Sequence, residues 1–219
     1  MSSFPGAPRL VKGGIVLLDP DTSAVQRIIA LQYNPDTLTR TLQVQGAGAE
    51  SGDRLEALRL KGPPVETIKL DAEIDLIDQS SVAVLDEATT QPGIYPQLAA
   101  LETIVYPASG QLQANNSQAQ SGTLEIAPIE APLTLFIWSK NRILPVRLTD
   151  FSITEEAFDV ALNPIRAKVS LGMRVLSVND LGFDHKGGNL FMTYLQQKEQ
   201  FATKAPGGSF ATLGITGIP

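Results

Sequence analysis

The single histidine is the first residue to consider for catalysis or metal binding. His185 lies in a polar, glycine-rich stretch, and the chain has no cysteine and no second histidine that could complete a zinc site with it. A lone histidine in a loop is ordinarily structural. Asp180 and Asp184 are too few, and wrongly spaced, for an EF-hand calcium loop. The sequence therefore predicts no metal site and no cofactor.

Paired carboxylates and nucleotide-binding motifs are the next features that could indicate an enzyme. Glu155 and Glu156 are adjacent, so they cannot form the facing pair that glycoside hydrolysis requires, and we interpret them as part of a solvated turn. The sequence has no phosphate-binding loop, no nucleophile elbow and no dinucleotide-binding glycine motif. Because no convergent set of titratable residues can be named, we predict that the protein is not an enzyme.

The composition is that of a globular protein without a strongly basic surface. The chain has 219 residues, of which 43% are hydrophobic and 18% are charged, and its net charge is -6. This balance allows one good core or two small ones and disfavours non-specific binding to nucleic acid. No apolar run has the length of a signal peptide or a membrane span, so we expect a cytoplasmic protein without direct membrane insertion.

Residues 132–178 predict three successive antiparallel strands. In the third strand, apolar residues alternate with polar or glycine residues over residues 165–175, a period of two that is typical of a half-buried strand. The second strand changes phase near Thr149 and Asp150, which indicates a β-bulge. The first strand, residues 133–138, connects to the second through a polar stretch that suits a tight hairpin.

The rest of the chain predicts further strands and two helices around this meander. The expected strands cover residues 14–19, 25–33, 38–44 and 65–78, an amphipathic flanking helix covers 94–105, an exposed irregular loop covers 109–121, and a short C-terminal helix covers 189–201. We therefore predict a mainly β fold, an antiparallel β-barrel or sandwich with one flanking α-helix and a short C-terminal helix.

The first strand of the meander is apolar on both faces. Phe136 and Trp138 lie on one face, and Leu133, Leu135 and Ile137 lie on the other. We expect burial on both sides, by the core or by a neighbouring subunit, and we take Phe136 and Trp138 as candidate assembly residues. Stacking of Trp138 on a sugar is the alternative.

A basic stripe follows one face of the third strand. It consists of Arg166, Lys168 and Arg174. We expect these cations to pair with an acidic strand face made of Asp71, Glu73 and Asp75, either within the sheet or between neighbouring protomers. The stripe is a second candidate assembly surface.

The long connection from residue 45 to residue 64 is a third candidate. Connections of this length inside a compact β-domain are uncommon unless they have a function. The connection contains at most a short helical stretch, and its candidate contact residues are Arg54, Leu55 and Leu58. We expect it to reach an adjacent subunit.

Four ordered motifs between residues 10 and 182 stand out together. They are Tyr33-Asn34-Pro35 followed by Leu38 and Arg40, Pro145-Val146-Arg147-Leu148, Ile153-Thr154-Glu155-Glu156-Ala157-Phe158-Asp159, and Leu162-Asn163-Pro164-Ile165-Arg166-Ala167. This combination resembles the tube-associated baseplate proteins of contractile injection systems, which are phage-tail-like particles of bacteria and archaea. The resemblance implies a phage tail-tube-like fold that assembles into a hexameric ring between the central spike and the inner tube. It implies as partners the spike or hub protein, the inner-tube protein and other baseplate subunits.

The resemblance also implies a division of the chain. Residues 1–182 are expected to form the tail-tube-like β-barrel domain, and residues 183–219 a C-terminal extension with a short helix and a Gly-rich tail. Some relatives carry a C-terminal LysM module that binds glycan, and the residues after Phe183 are too few for one. The inner-tube protomer itself is the alternative function, and a carbohydrate-binding β-barrel is a more distant one.

Deletion of residues 46–62 tests the expected role of the long connection. If the connection contacts an adjacent subunit, the deletion variant folds but no longer assembles, because the contacts to that subunit are lost. Circular dichroism measures folding, and incorporation into particles measures assembly. A deletion variant that still enters particles would contradict this role.

Overall fold

The computed structural model describes residues 10–46, 59–76, 92–122 and 131–218. In chain order the elements are strands β1 (Gly14–Leu18), β2 (Val25–Ala30), β3 (Leu38–Gln43) and β4 (Val65–Asp75), helices α1 (Tyr95–Glu102) and α2 (Ser109–Gln120), strands β5 (Leu133–Ser139), β6 (Arg142–Phe158) and β7 (Pro164–Val175), helices α3 (Val178–Leu181) and α4 (Lys186–Thr203), and a 3-10 turn (Phe210–Leu213). The predicted mainly β fold is confirmed.

The seven strands form one antiparallel sheet in the order β2-β1-β5-β6-β7-β4-β3. Strands β2 and β3 are its edges, and neither has a second neighbour among the described strands. The chain just after β2 nevertheless contacts the end of β4. The side-chain amide of Gln32 donates to the Asp75 carbonyl at 2.7 Å and accepts from the Asp75 N–H at 2.9 Å, as a neighbouring strand would do. Closure of the sheet into a barrel, or its division into a sandwich, stays a prediction.

The register of the central meander agrees with the sequence pattern. Strands β5 and β6 meet in a tight hairpin in which Ser139 lies opposite Arg142. The pairing of β6 with β7 shifts register between Leu148 and Asp150, which confirms the predicted bulge. Strand β7 buries its apolar residues and leaves its basic residues on the opposite face, as the period of two predicts.

Strand β6 continues beyond the point at which the sequence places a turn. Glu155 and Glu156 lie within β6, which pairs with β7 as far as Phe158 opposite Pro164. The turn prediction is wrong because this part of β6 contains further register shifts around Ala157. Bulges interrupt the alternation by which a strand is identified in a sequence.

Two apolar clusters hold the fold together. The larger one combines residues of the sheet with side chains of α1 and α4, and its most deeply buried members include Ile15, Ile68, Ile94, Leu98, Phe136, Leu144, Val169 and Met173. The smaller one consists of Leu18, Leu133 and Leu135, against which Leu181 of α3 and Leu190 of α4 pack. The sheet is therefore covered on both faces at β5.

Helix α2 replaces the irregular loop predicted for residues 109–121. The segment consists largely of glutamine, alanine, serine and asparagine, and none of its residues is buried. A helix that is polar all round has no apolar periodicity, so the pattern that identifies amphipathic helices missed it. The loop prediction is wrong for this physical reason.

Helix α4 confirms the predicted C-terminal helix and is longer than expected, with 18 residues. It buries Phe191 and Tyr194 in the larger core cluster. The expected domain boundary at residue 182 lies between α3 and α4. Both helices pack against the same apolar cluster of the sheet.

Phe136→Ala tests the central place of β5 in the core. Phe136 is 1% exposed, so its truncation leaves a cavity and should lower the free energy of unfolding by about 3–5 kcal/mol. Chemical denaturation measures this change. Phe183→Ala is the matched control, since Phe183 is 65% exposed and its truncation should change stability by less than about 0.5 kcal/mol.

Candidate assembly surfaces

Strand β5 places its two candidate aromatic residues differently. Phe136 is in the larger core cluster and has almost no surface in the protomer. Trp138 is half-buried; its ring stacks on Phe136 at 5.9 Å between centroids and lies over Gly13, where an added Cβ would come within 2.7 Å of the indole. The predicted burial of both faces of β5 is confirmed, and only Trp138 of the pair retains surface for another molecule.

The basic stripe of β7 is neutralised within the protomer. Arg166 forms an ion pair with Asp75 of β4 at 2.7 Å, Lys168 with Glu156 of β6 at 2.8 Å, and Arg174 with Asp180 of α3 at 2.6 Å. These distances join side-chain nitrogen to carboxylate oxygen. The predicted pairing of β7 with the acidic face of β4 is confirmed for Arg166, and Lys168 lies opposite Glu73 in the register.

The carboxylates that pair with the basic stripe also shift the pKa values of its cations. The hydrogen bond to Asp75 raises the pKa of Arg166, and the hydrogen bond to Glu156 raises the pKa of Lys168. Both cations are thus held in their charged forms by carboxylates of the same chain. An assembly role for Arg166, Lys168 and Arg174 stays a prediction. Arg54, Leu55 and Leu58 lie outside the described residues.

A group of four polar side chains that the sequence analysis did not single out joins β3, β4 and α4. Glu66 of β4 is 3% exposed, and its carboxylate accepts hydrogen bonds from Arg40 at 2.6 Å, from Lys198 at 3.2 Å and from the Tyr194 hydroxyl at 3.3 Å. Arg40 also donates to the Tyr194 hydroxyl at 2.9 Å, and the Lys198 ammonium lies 4.1 Å from the centre of the Tyr194 ring. We call these four residues the Glu66 cluster.

The electrostatics of the Glu66 cluster favour its charged form. Burial alone raises the pKa of Glu66, but the hydrogen bond from Arg40 and the charge of Lys198 outweigh it and leave the pKa below the ordinary value of 4.5. The bond to Glu66 in turn raises the pKa of Arg40. The burial of Glu66 could have been predicted from the sequence, because Glu66 lies on the same face of β4 as the apolar residue Ile68.

The open edges of the sheet expose apolar side chains. On β2, Val25 is 58% exposed and Ile28 is 69% exposed. On β3, Leu42 is 47% exposed, although it has the same phase along the strand as Leu38, which packs against the larger core cluster.

The turn between β6 and β7 has a fixed shape and an apolar surface. Asp159 accepts hydrogen bonds from the backbone N–H groups of Ala161 and Asn163, both at 2.8 Å, and from the Asn163 side chain at 2.9 Å. The bonds from Asn163 lower the pKa of Asp159. Leu162 has a φ of 65°, a left-handed conformation that is rare for leucine. We call residues 158–163 the hairpin tip.

The single histidine has a structural contact in the described part of the chain. His185 caps the N-terminus of α4, where its Nδ1 accepts from the Gly187 N–H at 3.0 Å, as expected of a structural histidine. Within the described ranges, no group of three or more His, Cys, Asp or Glu side chains could hold a metal ion. No described helix is both long and apolar enough to cross a membrane.

Comparison with known proteins identifies no family for this chain. The chain matches no protein-family model, and no curated protein is significantly similar to it in sequence.

Glu66→Gln tests the Glu66 cluster. The substitution removes the negative charge that pairs with Arg40 and Lys198, so at pH 7 it should lower the free energy of unfolding by about 1–3 kcal/mol. Because the pKa of Glu66 is lower in the folded protein than in the unfolded chain, its contribution is complete above about pH 4.5 and is lost as the pH falls through the folded pKa. Thermal unfolding between pH 7 and pH 3 measures both effects.

The acid limb of the stability profile distinguishes the cluster from a general effect of lost charge. The variant should lose less stability than the wild type between pH 4.5 and pH 3, since the carboxyl that becomes protonated is absent. Asp36→Asn, at an exposed position, is the control and should follow the wild-type profile. Parallel acid limbs for Glu66→Gln and wild type would show that Glu66 is not stabilised in its ionised form.

Proposed function

We propose that this protein is a structural, non-catalytic subunit of a contractile injection system, a baseplate ring protein that joins the central spike to the inner tube. The observation that carries the proposal is the seven-stranded sheet, whose two edge strands have no second neighbour among the described strands and expose apolar side chains. The motifs around Tyr33-Asn34-Pro35 and Leu162-Asn163-Pro164 support the particular family. A phage tail-tube-like fold is part of the same proposal, with edges β2 and β3 paired between copies and not closed on each other within one protomer.

Open edges favour pairing with further chains. An unpaired strand edge is a template for another strand, and proteins that stay monomeric usually protect such edges with charges, prolines or bulges. Strand β2 carries Val25, Ile28 and Ile29. Its one charged residue, Arg27, donates to the Ala100 carbonyl and the Thr103 hydroxyl of the same chain. In a ring, edge β2 of one copy faces edge β3 of the next, and closure of the ring leaves no edge unpaired. A hexamer is the closed form that the family resemblance implies.

The charged groups agree with a structural role. Glu66 is buried and paired with cations of the same chain, and the basic stripe is matched by carboxylates. Within each of these two groups, the ionisable side chains form ion pairs with one another. These ion pairs join β3, β4, β7 and α4. In the proposed ring, partners are the spike or hub protein, the inner-tube protein and other baseplate subunits, and assembly takes place in the cytoplasm.

The inner-tube protomer is the second candidate, because open sheet edges serve a tube subunit equally well. Two features favour the adaptor. None of the residues of helix α2 is buried, and residues 204–218 after α4 are exposed. A subunit that stacks many times must present matching upper and lower surfaces, which such additions hinder.

Native mass spectrometry of the purified chain tests the proposal directly. The chain is measured alone and after co-expression with the spike and tube proteins encoded beside it. Six copies in a complex that retains spike or tube protein is the expected result for the adaptor. A chain that stays monomeric in every combination would exclude the role in assembly, and long polymers with many copies would favour the tube protomer.

Ile28→Lys tests whether the edge strand β2 takes part in ring formation. A lysine on an edge strand opposes pairing with another strand, and the 69% exposure of Ile28 allows the protomer to fold. The variant should keep its thermal stability and lose the six-copy complex. Leu112→Lys adds the same charge at an exposed leucine of α2 and should assemble normally. Equal assembly of the two variants would exclude β2 as a ring contact.

A further inference from the structure

The two edge strands of the sheet run in the same sense. Every neighbouring pair in the order β2-β1-β5-β6-β7-β4-β3 is antiparallel. The strand direction therefore reverses six times on crossing the sheet from β2 to β3. Since an even number of reversals restores the original direction, β2 and β3 point the same way along the sheet from its opposite edges.

The two faces of the sheet can be assigned at both edges. Ile29 of β2 and Leu38 of β3 both pack against the larger core cluster. We call this side the core face and the opposite side the outer face. Because successive residues of a strand alternate between faces, Ala30 lies on the outer face of β2, and Thr39 and Gln43 lie on the outer face of β3.

Both edge strands offer a regular stretch of backbone to another strand. Each has six residues, and neither contains proline. The single charged residue of each strand, Arg27 or Arg40, is engaged by its own chain. The register shift between β1 and β2 is confined to the start of β2, where Val25 lies opposite Leu18 on the outer face. Neither edge thus carries the free charge or the proline that protects an edge from pairing.

A closed ring restricts how the two edges can meet. Rotation about the axis of a ring turns the same face of every copy toward that axis. The core face of β3 must then adjoin the core face of β2 in the next copy, and with this match the two strands keep the same sense. An antiparallel junction would require the next copy to be turned over, with its core face beside the outer face of the first. Such an arrangement suits a two-fold dimer and is incompatible with a ring of more than two copies.

We propose that β3 of one copy pairs in parallel with β2 of the next copy, so that the sheet of the ring is antiparallel within each copy and parallel at each junction. The junction rests on the proposed assembly function and states how its two edge strands meet. Within one chain, parallel neighbours need a crossover connection of about a dozen residues or more, but strands of separate copies need none. Mixed sheets of this kind are common among large sheets.

Disulfide trapping between outer-face positions measures the direction of the junction. The chain has no cysteine, so single substitutions introduce the only thiols, and every disulfide that forms joins two copies. One chain carries Val25→Cys or Ala30→Cys, near the two ends of β2. A second, differently tagged chain carries Thr39→Cys or Gln43→Cys, near the two ends of β3. All four positions are exposed, so each variant should keep the thermal stability of the wild type.

The four mixed pairs are combined into one ratio of disulfide yields. The yields of Val25 with Thr39 and of Ala30 with Gln43 are multiplied, and the product is divided by that of Val25 with Gln43 and Ala30 with Thr39. A slide of one strand along the other favours one pair in each product alike, so the ratio reports direction and not register.

A parallel junction should give a ratio above one by roughly tenfold or more, because the two ends of either strand lie roughly 13–17 Å apart and a disulfide requires Cα atoms within about 7 Å. A ratio below one would show an antiparallel junction and overturn the proposal. A ratio of one would overturn it as well, since the edges would then not be paired in a fixed direction.

Two controls exclude other contacts. Val25→Cys mixed with Gln118→Cys on the exposed helix α2 gives the background of random collisions, which the parallel pairs should exceed. Each single variant is also oxidised alone. Disulfides between identical copies of Val25→Cys or Gln43→Cys in excess over the mixed products would indicate a two-fold contact and overturn the parallel junction.

The experiment is run on the chain alone and after co-expression with the spike and tube proteins, so that its failure can be distinguished from failure of the wider function. If the six-copy complex with spike or tube protein forms and the ratio is one or lower, only the parallel junction is wrong. If the ratio is well above one but spike and tube proteins are never retained, the junction is correct and the particle role is wrong.

Discussion

The register of strand β7 is the constraint on which the rest of the fold depends. Strand β7 pairs with β6 on one side and with β4 on the other along most of its length. A shift by one residue would move Val169 and Met173 to the solvent face and would turn Arg166 and Lys168 into the core. Burial of two cations without partners costs more free energy than the apolar side chains return. The alternation along this strand therefore fixes the pairing of its neighbours.

This register also decides which surfaces are available for assembly. On the solvent face of β7 and β4, cations and carboxylates meet within the chain, so the middle of the sheet is neutralised. Exposed apolar side chains are then found at its margins, on β2, on β3 and at the turn from β6 to β7. Contacts at the margins require little desolvation of charge, which favours the proposed pairing of β2 with β3 of the next copy.

The Glu66 cluster gives the sheet a second constraint, on the position of α4. A buried carboxylate that loses its cations is strongly destabilising, whereas a buried ion pair in place adds little stability over an apolar alternative. We expect the cluster to act mainly on the position of α4, which must bring Lys198 and Tyr194 to Glu66. The residues after α4 consequently leave the sheet from a fixed point next to β3 and β4.

The sequence by itself determined the elements whose side chains alternate with a clear period. The apolar and basic alternation of β7, the bulge near Asp150 and the two apolar faces of β5 all followed from it, because burial on one or both faces selects residue type along a strand. Tertiary structure decided the rest. Helix α2 and the bulged end of β6 have no clear period. Glu66 meets Arg40 only when β3 pairs with β4, and it meets Lys198 only after α4 packs on the sheet. Contacts between residues far apart in sequence produce no periodic pattern of residue types. The reason is that the two residues become neighbours only when the chain folds.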